Sequence, residues 1–161
     1  MFYWSVICLC FVAFGFRSPR QGHQRQINRH FASLNPGARA QTAVIIVDHG
    51  SRRAEANDML LTVAAAYKSH SQISVVEAAH MEMAEPSIST AYKRCVELGA
   101  KHIICHPFFL SPGRHVQEDI PALMKEASLQ YPDVTYSITS PLGMQSGIIE
   151  LISKAINDCH P

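Results

Sequence analysis

Short apolar runs alternate with segments of helical periodicity over most of the chain. AVIIVD, at residues 43–48, is rich in β-branched residues and leads directly into His49, Gly50 and Ser51, which is typical of a buried parallel strand and the small residues that follow it. Comparable runs predict further strands at residues 73–79, 102–109 and 134–139.

Apolar side chains recur at three- and four-residue intervals after each of these runs. The spacing predicts helices at residues 54–70, 86–99, 116–130 and 148–157. Pro86 suits the first turn of the second helix and Gly99 its end, whereas Pro121 marks a delayed start of the third. Strands that alternate with helices through short loops predict a flavodoxin-like three-layer sandwich, with helices on both faces of a four-stranded parallel sheet.

The residues before the first strand have a different composition. MFYWSVICLCFVAFGF opens the chain without a charged side chain, and the arginine-containing segment that follows has no Asp or Glu before Asp48. The apolar run is shorter than the roughly 20 residues that span a bilayer, which favours a signal-peptide core over a membrane anchor. We predict a targeting or disordered leader at residues 1–40 and one domain at residues 41–161.

The composition is that of a globular protein with one ordinary core. The chain has 161 residues, 47% of them hydrophobic, and a formal net charge of +1. Its 5 cysteines include no CxxC spacing, which argues against a disulfide framework or a structural zinc site. We interpret Cys95 and Cys105 as core residues, and we expect no nucleic-acid partner and no membrane partner for the mature domain.

Possible metal ligands follow three of the predicted strands. His49, Glu82 and His115 stand at equal intervals in the segments DHGSRR, HMEMAEPS and FLSPGRHVQEDIP. Because open α/β sheets bind ligands beyond the carboxyl ends of their strands, we expect these three loops to meet. Two imidazoles and a carboxylate suit iron, cobalt, nickel or zinc better than magnesium or calcium. The alternative for each histidine is a structural, hydrogen-bonded role.

Other polar residues near these loops are interpreted as structural. His80 and His106 lie at strand ends but outside the three-ligand pattern. Glu118 and Asp119 begin the third helix, where the helix dipole favours acidic side chains without any catalytic role. Asp48 is adjacent to His49, and neighbouring side chains rarely bond to each other.

The segments DHGSR, EMAEPSI and FLSPGRHVQEDIP occur in the order and spacing of the short sirohydrochlorin chelatases, and AHMEMAEPSI is most similar to plant and algal members. The resemblance covers residues 43–158. It implies half of the two-domain chelatase fold and class II metal chelation without an organic cofactor, a divalent metal being a substrate. It also implies that His49 and His115 are catalytic metal-binding residues and that Glu82 joins them at the metal.

The resemblance further implies a tetrapyrrole substrate with many carboxylates on its rim. Ser51, Arg52 and Arg114 flank the two histidines and are the residues we expect to bind it, Ser51 through the start of the first helix. The alternative is that the arginines are solvated surface charges.

We therefore predict a sirohydrochlorin ferrochelatase that completes siroheme. The alternatives are a cobaltochelatase of cobalamin synthesis and a non-enzymatic carrier of metal or tetrapyrrole. A hydrolase is disfavoured because the chain has no G-x-S-x-G segment, and it has no P-loop pattern.

Three expectations concern the setting of the enzyme. A signal sequence followed by a transit peptide predicts a plastid location. The single domain is about half the size of the longer chelatases, which predicts a homodimer. Land-plant relatives carry a cysteine-rich carboxyl-terminal extension that binds an iron–sulfur cluster, whereas here only Cys159 lies near Pro161, so we predict no such cluster.

Overall fold

A computed structural model describes residues 41–71 and 73–159 of the chain. The leader predicted at residues 1–40 lies outside the described residues. The described residues belong to one compact unit. No helix among them is long and apolar enough to cross a membrane.

Strands and helices alternate as the hydrophobic pattern predicts. The strands are β1 (Thr42–Asp48), β2 (Val75–His80), β3 (His102–Pro107) and β4 (Thr135–Ile138), and they pair in parallel in the order β2-β1-β3-β4. The helices are α1 (Ala54–Ser71), α2 (Ile88–Glu97), α3 (Ile120–Ser128) and α4 (Gly147–Asp158). A π-helical turn, His115–Asp119, precedes α3, and a 3₁₀ turn, Leu142–Met144, precedes α4. The four-stranded parallel α/β fold is confirmed.

The main hydrophobic core lies between one face of the sheet and helices α2 and α3. Alternate residues of the central strands point into it, among them Ile45 and Val47 of β1 and Ile103 of β3, all fully buried. Burial of each such side chain contributes about 1.5–3 kcal/mol. Tyr92 of α2 also lies in this core. Its buried hydroxyl donates a hydrogen bond to the carbonyl of Val134 at 3.3 Å.

The opposite face of the sheet is covered less completely. Helix α1 packs on it through Leu60 and Ala64, whereas α4 forms where its periodicity predicts but has no buried residue. The sheet face across β3 and β4 carries polar side chains. Among them, the ring of His102 is hydrogen-bonded to Thr135 at 2.8 Å and to Ser137 at 3.1 Å. This part of the sheet offers an apolar helix little to pack against.

Two helix starts show how proline acts in this chain. Helix α2 begins later than predicted, because Ser87 is its N-cap and accepts a hydrogen bond from the backbone N–H of Thr90 at 3.3 Å, which leaves Pro86 outside the helix. Pro121 lies in the first turn of α3, after the π-helical turn, as the delayed start predicts. Gly99 follows α2 with a φ of +90°, the left-handed conformation that ends many helices.

The cysteines of the domain differ in accessibility. Cys95 and Cys105 are fully buried, which confirms their interpretation as core residues, and Cys159 is exposed. Burial raises the pKa of the Cys95 thiol and of the Cys105 thiol to about 12. Both thiols are therefore protonated and unreactive near neutral pH.

We predict that iodoacetamide at pH 8 alkylates Cys159 of the native protein and leaves Cys95 and Cys105 unmodified, because the reactive species is an accessible thiolate. Peptide mass mapping after a timed quench measures the modification. The same reaction in denaturant, where all three should react, is the control. Equal labelling of the buried and exposed thiols in the native protein would contradict the core assignment.

Candidate metal centre

The loops that follow β1 and β2 contact each other beyond the sheet. The two strands are neighbours, with Asp48 opposite His80 in register. Backbone hydrogen bonds continue past the strand ends, from the N–H of Met81 to the carbonyl of Asp48 at 2.9 Å and from the N–H of Glu82 to the carbonyl of His49 at 3.1 Å. The first two candidate ligands, His49 and Glu82, are thus held side by side.

Gly50 makes this close approach possible. Its φ is +83°, and a Cβ atom at this position would overlap the carbonyl oxygen of Glu82 and lie 3.0 Å from Cβ of His80. An L-residue would therefore be strained in its backbone and would push the two loops apart.

His49 and Glu82 form an ion-pair contact at the mouth of these loops. Nε2 of His49 lies 2.9 Å from Oε1 of Glu82, and the two side chains are 40% and 48% exposed. The carboxylate therefore faces the imidazole nitrogen that points away from the backbone, and both groups remain accessible to a ligand from solvent.

His115 reaches the same edge from the loop after β3. Its ring packs edge-to-face on the ring of His49, with the ring centroids 5.1 Å apart. Nδ1 of His115 lies 2.7 Å from Oδ2 of Asp119, one helical turn further on. When Nδ1–H donates to a carboxylate in this way, Nε2 keeps its lone pair free for a metal or a proton.

His49 contacts both Glu82 and His115, but the three side chains are not arranged as a ligand shell around one point. Within residues 41–71 and 73–159, no group of three or more His, Cys, Asp and Glu side chains stands ready to hold a metal ion. A cation that binds to all three side chains would have to open the contact between His49 and Glu82. The ligand types suit a borderline divalent metal, but their convergence depends on its arrival.

The residues expected to bind the substrate lie at the surface of the same loops. The hydroxyl of Ser51 accepts the N–H of Arg53 at 3.1 Å, and the Ser51 backbone exchanges two hydrogen bonds with the side-chain amide of Asn57, each 2.9 Å long, which fixes the start of α1. Arg52 is exposed. Arg114 is 77% exposed, with its Nε 3.4 Å from Glu118. Such exposed ion pairs are weak, so both arginines remain available to an anion.

Three residues near the site make contacts that the sequence interpretation did not assign. Asp119 bonds to His115 in addition to any effect of the helix dipole, and the four-residue spacing of the two in a helical segment was the available signal. Asp48 bonds to the buried ring of His80 and not to the adjacent His49. The contact between Asp48 and His80 depends on strand register, which the sequence does not specify.

His106 differs from the two histidines of the candidate metal centre. Its Nδ1 lies 2.6 Å from the hydroxyl of Thr139, and burial lowers its pKa below the ordinary value for histidine. The ring is therefore neutral at pH 7 and serves to join the ends of β3 and β4.

Known proteins with related sequences and structures share this domain. Residues 43–159 match the family model described as CbiX. The chloroplastic sirohydrochlorin ferrochelatase of Arabidopsis thaliana is 45% identical over 116 residues, which cover 72% of this chain and 52% of that protein. The sirohydrochlorin cobaltochelatase of Sulfolobus acidocaldarius is 31% identical over 111 residues, 69% of this chain and 86% of that protein.

A solved structure extends the likeness to the fold. SirB from Bacillus subtilis with Fe3+ superimposes with a TM-score of 0.69 at 30% identity, over 75% of this chain and 48% of that one. This chain therefore spans about half the length of the Arabidopsis and Bacillus proteins that it matches.

We predict that Asp119→Ala weakens Co2+ binding about 10–100-fold, the usual effect of removing a carboxylate that orients a metal-binding histidine. Anaerobic titration followed by the visible absorbance of cobalt measures the affinity. Glu118→Ala is the matched control, because this neighbouring carboxylate is exposed and contacts only Arg114 among the described ion pairs. Unchanged affinity in Asp119→Ala would show that the carboxylate does not orient His115.

We also predict that Gly50→Ala lowers the free energy of unfolding by about 1–3 kcal/mol, through backbone strain and the overlap with Glu82. Urea denaturation followed by circular dichroism measures the change. The control is Gly147→Ala at the start of α4, where a Cβ atom meets nothing within 4 Å. Equal stability of the two variants would contradict the close packing of the loops.

Proposed function

The chain belongs to the CbiX family, and on this basis we propose that it is a sirohydrochlorin ferrochelatase, a lyase that inserts ferrous iron into sirohydrochlorin to make siroheme. The contact of His49 with both Glu82 and His115, at the carboxyl edge of the sheet, is the observation that carries the proposal. The Arabidopsis relative, which bears this activity in its name, supports it.

His49, Glu82 and His115 are the proposed iron ligands. The carboxylate offsets part of the charge of the cation, and the imidazoles supply donors of intermediate softness. The exposure of all three side chains, 40% for His49, 48% for Glu82 and 45% for His115, allows a macrocycle to approach the bound metal from solvent. Metal is substrate here, so a ligand set that assembles around the ion and releases it suits the reaction.

The reaction exchanges one divalent cation for two protons from the pyrrole nitrogens. As iron passes to the macrocycle, the imidazole nitrogens that held it regain their lone pairs. A neutral imidazole can then accept a proton. Glu82 beside His49 and Asp119 beside His115 supply a carboxylate to each resulting imidazolium.

Ser51, Arg52 and Arg114 are proposed to bind the carboxylates of the macrocycle. Arg52 and Arg114 are exposed and stand one to three residues from the proposed histidine ligands. The guanidinium of Arg114 contacts the carboxylates of Glu118 and Asp119, at 3.4 and 3.9 Å. It is therefore held close to the proposed metal ligands, where it could meet a carboxylate of the macrocycle. A bidentate contact with a substrate carboxylate would replace these weak interactions.

Two features support proposals on location and assembly. The acid-free composition of residues 1–40, together with the chloroplastic relative from Arabidopsis, supports a plastid location. A homodimer is supported by the exposed apolar side chains of α4, which are Ile149, Leu151, Ile152 and Ile156.

A cobaltochelatase is the second candidate, because the Sulfolobus relative is named as one and covers most of its own length. Two imidazoles and a carboxylate do not select iron over cobalt by affinity. The choice between the two metals therefore rests on turnover with each.

We predict that the full chain accelerates anaerobic insertion of Fe2+ into sirohydrochlorin, measured by the absorbance change of the macrocycle. His49→Ala and His115→Ala should each reduce the rate about 100-fold or more, because each removes a ligand and proton acceptor. His70→Ala is the control, since His70 is exposed in the last turn of α1, away from the carboxyl ends of the strands.

Each alternative has its own outcome in this assay. Faster turnover with Co2+ than with Fe2+ would favour the cobaltochelatase. Tight binding of the tetrapyrrole without acceleration above the spontaneous rate would favour a carrier, and full activity in both histidine variants would refute the proposed site.

A further inference from the structure

A second histidine–carboxylate pair lies directly beneath the proposed metal ligands. His80, the last residue of β2, is 1% exposed, and its Nδ1 lies 2.6 Å from Oδ1 of Asp48. The same Asp48 oxygen accepts the backbone N–H of Gly50 at 2.9 Å. One carboxylate oxygen therefore joins the end of β2 to the turn that follows β1.

The pair is connected to both proposed ligands by very short lengths of chain. Asp48 immediately precedes His49, and His80 lies two residues before Glu82. The backbone bonds from Met81 and Glu82 to the β1 loop add a second tie alongside the first. Loss of the bond between Asp48 and His80 would loosen the turn at Gly50. The distance between His49 and Glu82 would change as a result.

The stability of the strand does not account for an imidazole at this position. Nε2 of His80 is buried and has no hydrogen-bond partner among the described residues. An unpaired buried polar atom costs about 1–3 kcal/mol, which an apolar ring of similar size would avoid. The bond to Asp48 is the specific contribution of the histidine.

We propose that Asp48 and His80 are positioning residues, which hold the loops of His49 and Glu82 at the separation that a shared metal requires. This inference rests on the metal site proposed above. It assigns to the pair an effect on metal affinity that is separable from its effect on folding.

Two substitutions of His80 separate the hydrogen bond from the packing. His80→Phe keeps a ring and removes the donor to Asp48. His80→Asn loses volume but carries an amide donor near the position of Nδ1. The probe is Co2+ alone, titrated anaerobically into the full chain, and the midpoint of thermal unfolding is measured for each variant.

The proposal predicts that the two His80 variants rank in opposite orders for thermal stability and for Co2+ affinity. His80→Phe keeps the packing of a ring, so it should unfold closer to the wild-type temperature than His80→Asn does, yet bind Co2+ about 10–100-fold more weakly, as the loss of an orienting residue does. His80→Asn should unfold at a lower temperature, because it leaves a cavity, and bind Co2+ nearly as well as the wild type. Affinity that follows packing, or wild-type affinity in His80→Phe, would overturn the proposal.

Asp48→Ala provides a test that does not depend on the folding of His80→Phe. It should weaken Co2+ binding about 10–100-fold, and wild-type affinity would overturn the proposal. Where His80→Phe folds, the double variant Asp48→Ala/His80→Phe should lose little more than either single variant, since both changes break one interaction, and additive losses would overturn the proposal. His49→Ala distinguishes the premise from the inference, because Co2+ binding that is unaffected by His49→Ala would refute the metal site itself.

Discussion

The close approach of the loops after β1 and β2 is the constraint on which the candidate centre depends. It requires a residue without a side chain at position 50, with a left-handed backbone, since a Cβ atom there would overlap the backbone of Glu82. Because this contact is made by backbone, it holds whatever the side chains of His49 and Glu82 do. Those side chains can then move without displacing the loops.

The order of the strands explains why the loops that carry the three candidate ligands meet. β1 lies between β2 and β3, so His49 at its end has one neighbouring loop on each side. Glu82 approaches from the β2 side and His115 from the β3 side. The chain reverses its direction of winding between β1 and β3, and such a switch point leaves a crevice beyond the strand ends. The site is therefore a consequence of topology as much as of the residues themselves.

The features that could be predicted from the sequence are those that depend on residues close together in the chain. Runs such as AVIIVD and the spacing of apolar residues specify strands and helices without knowledge of their neighbours. Cys95 and Cys105 could be interpreted as core residues because a free cysteine packs like a small hydrophobic side chain. The three candidate ligands could be proposed because each follows a strand, and position after a strand can be read along the chain.

The remaining features depend on contacts between distant segments. The bond between Asp48 and His80 exists only in the register that sets them opposite each other, and a shift of one residue would remove it. The exposed state of α4 depends on where the helix lies relative to the sheet, which no local pattern specifies. Asp119 was visible as an acidic residue near His115, but the helix dipole supplied a sufficient explanation for it.

The most direct measurement is anomalous diffraction from crystals of the protein grown anaerobically with Co2+. We expect one cobalt between the loops after β1, β2 and β3, at about 2.0–2.2 Å from a nitrogen of His49, a nitrogen of His115 and an oxygen of Glu82. The same crystals should show the bond between Asp48 and His80 unchanged. Cobalt bound by other side chains, with His49 and Glu82 still paired to each other, would contradict a metal centre at this edge of the sheet.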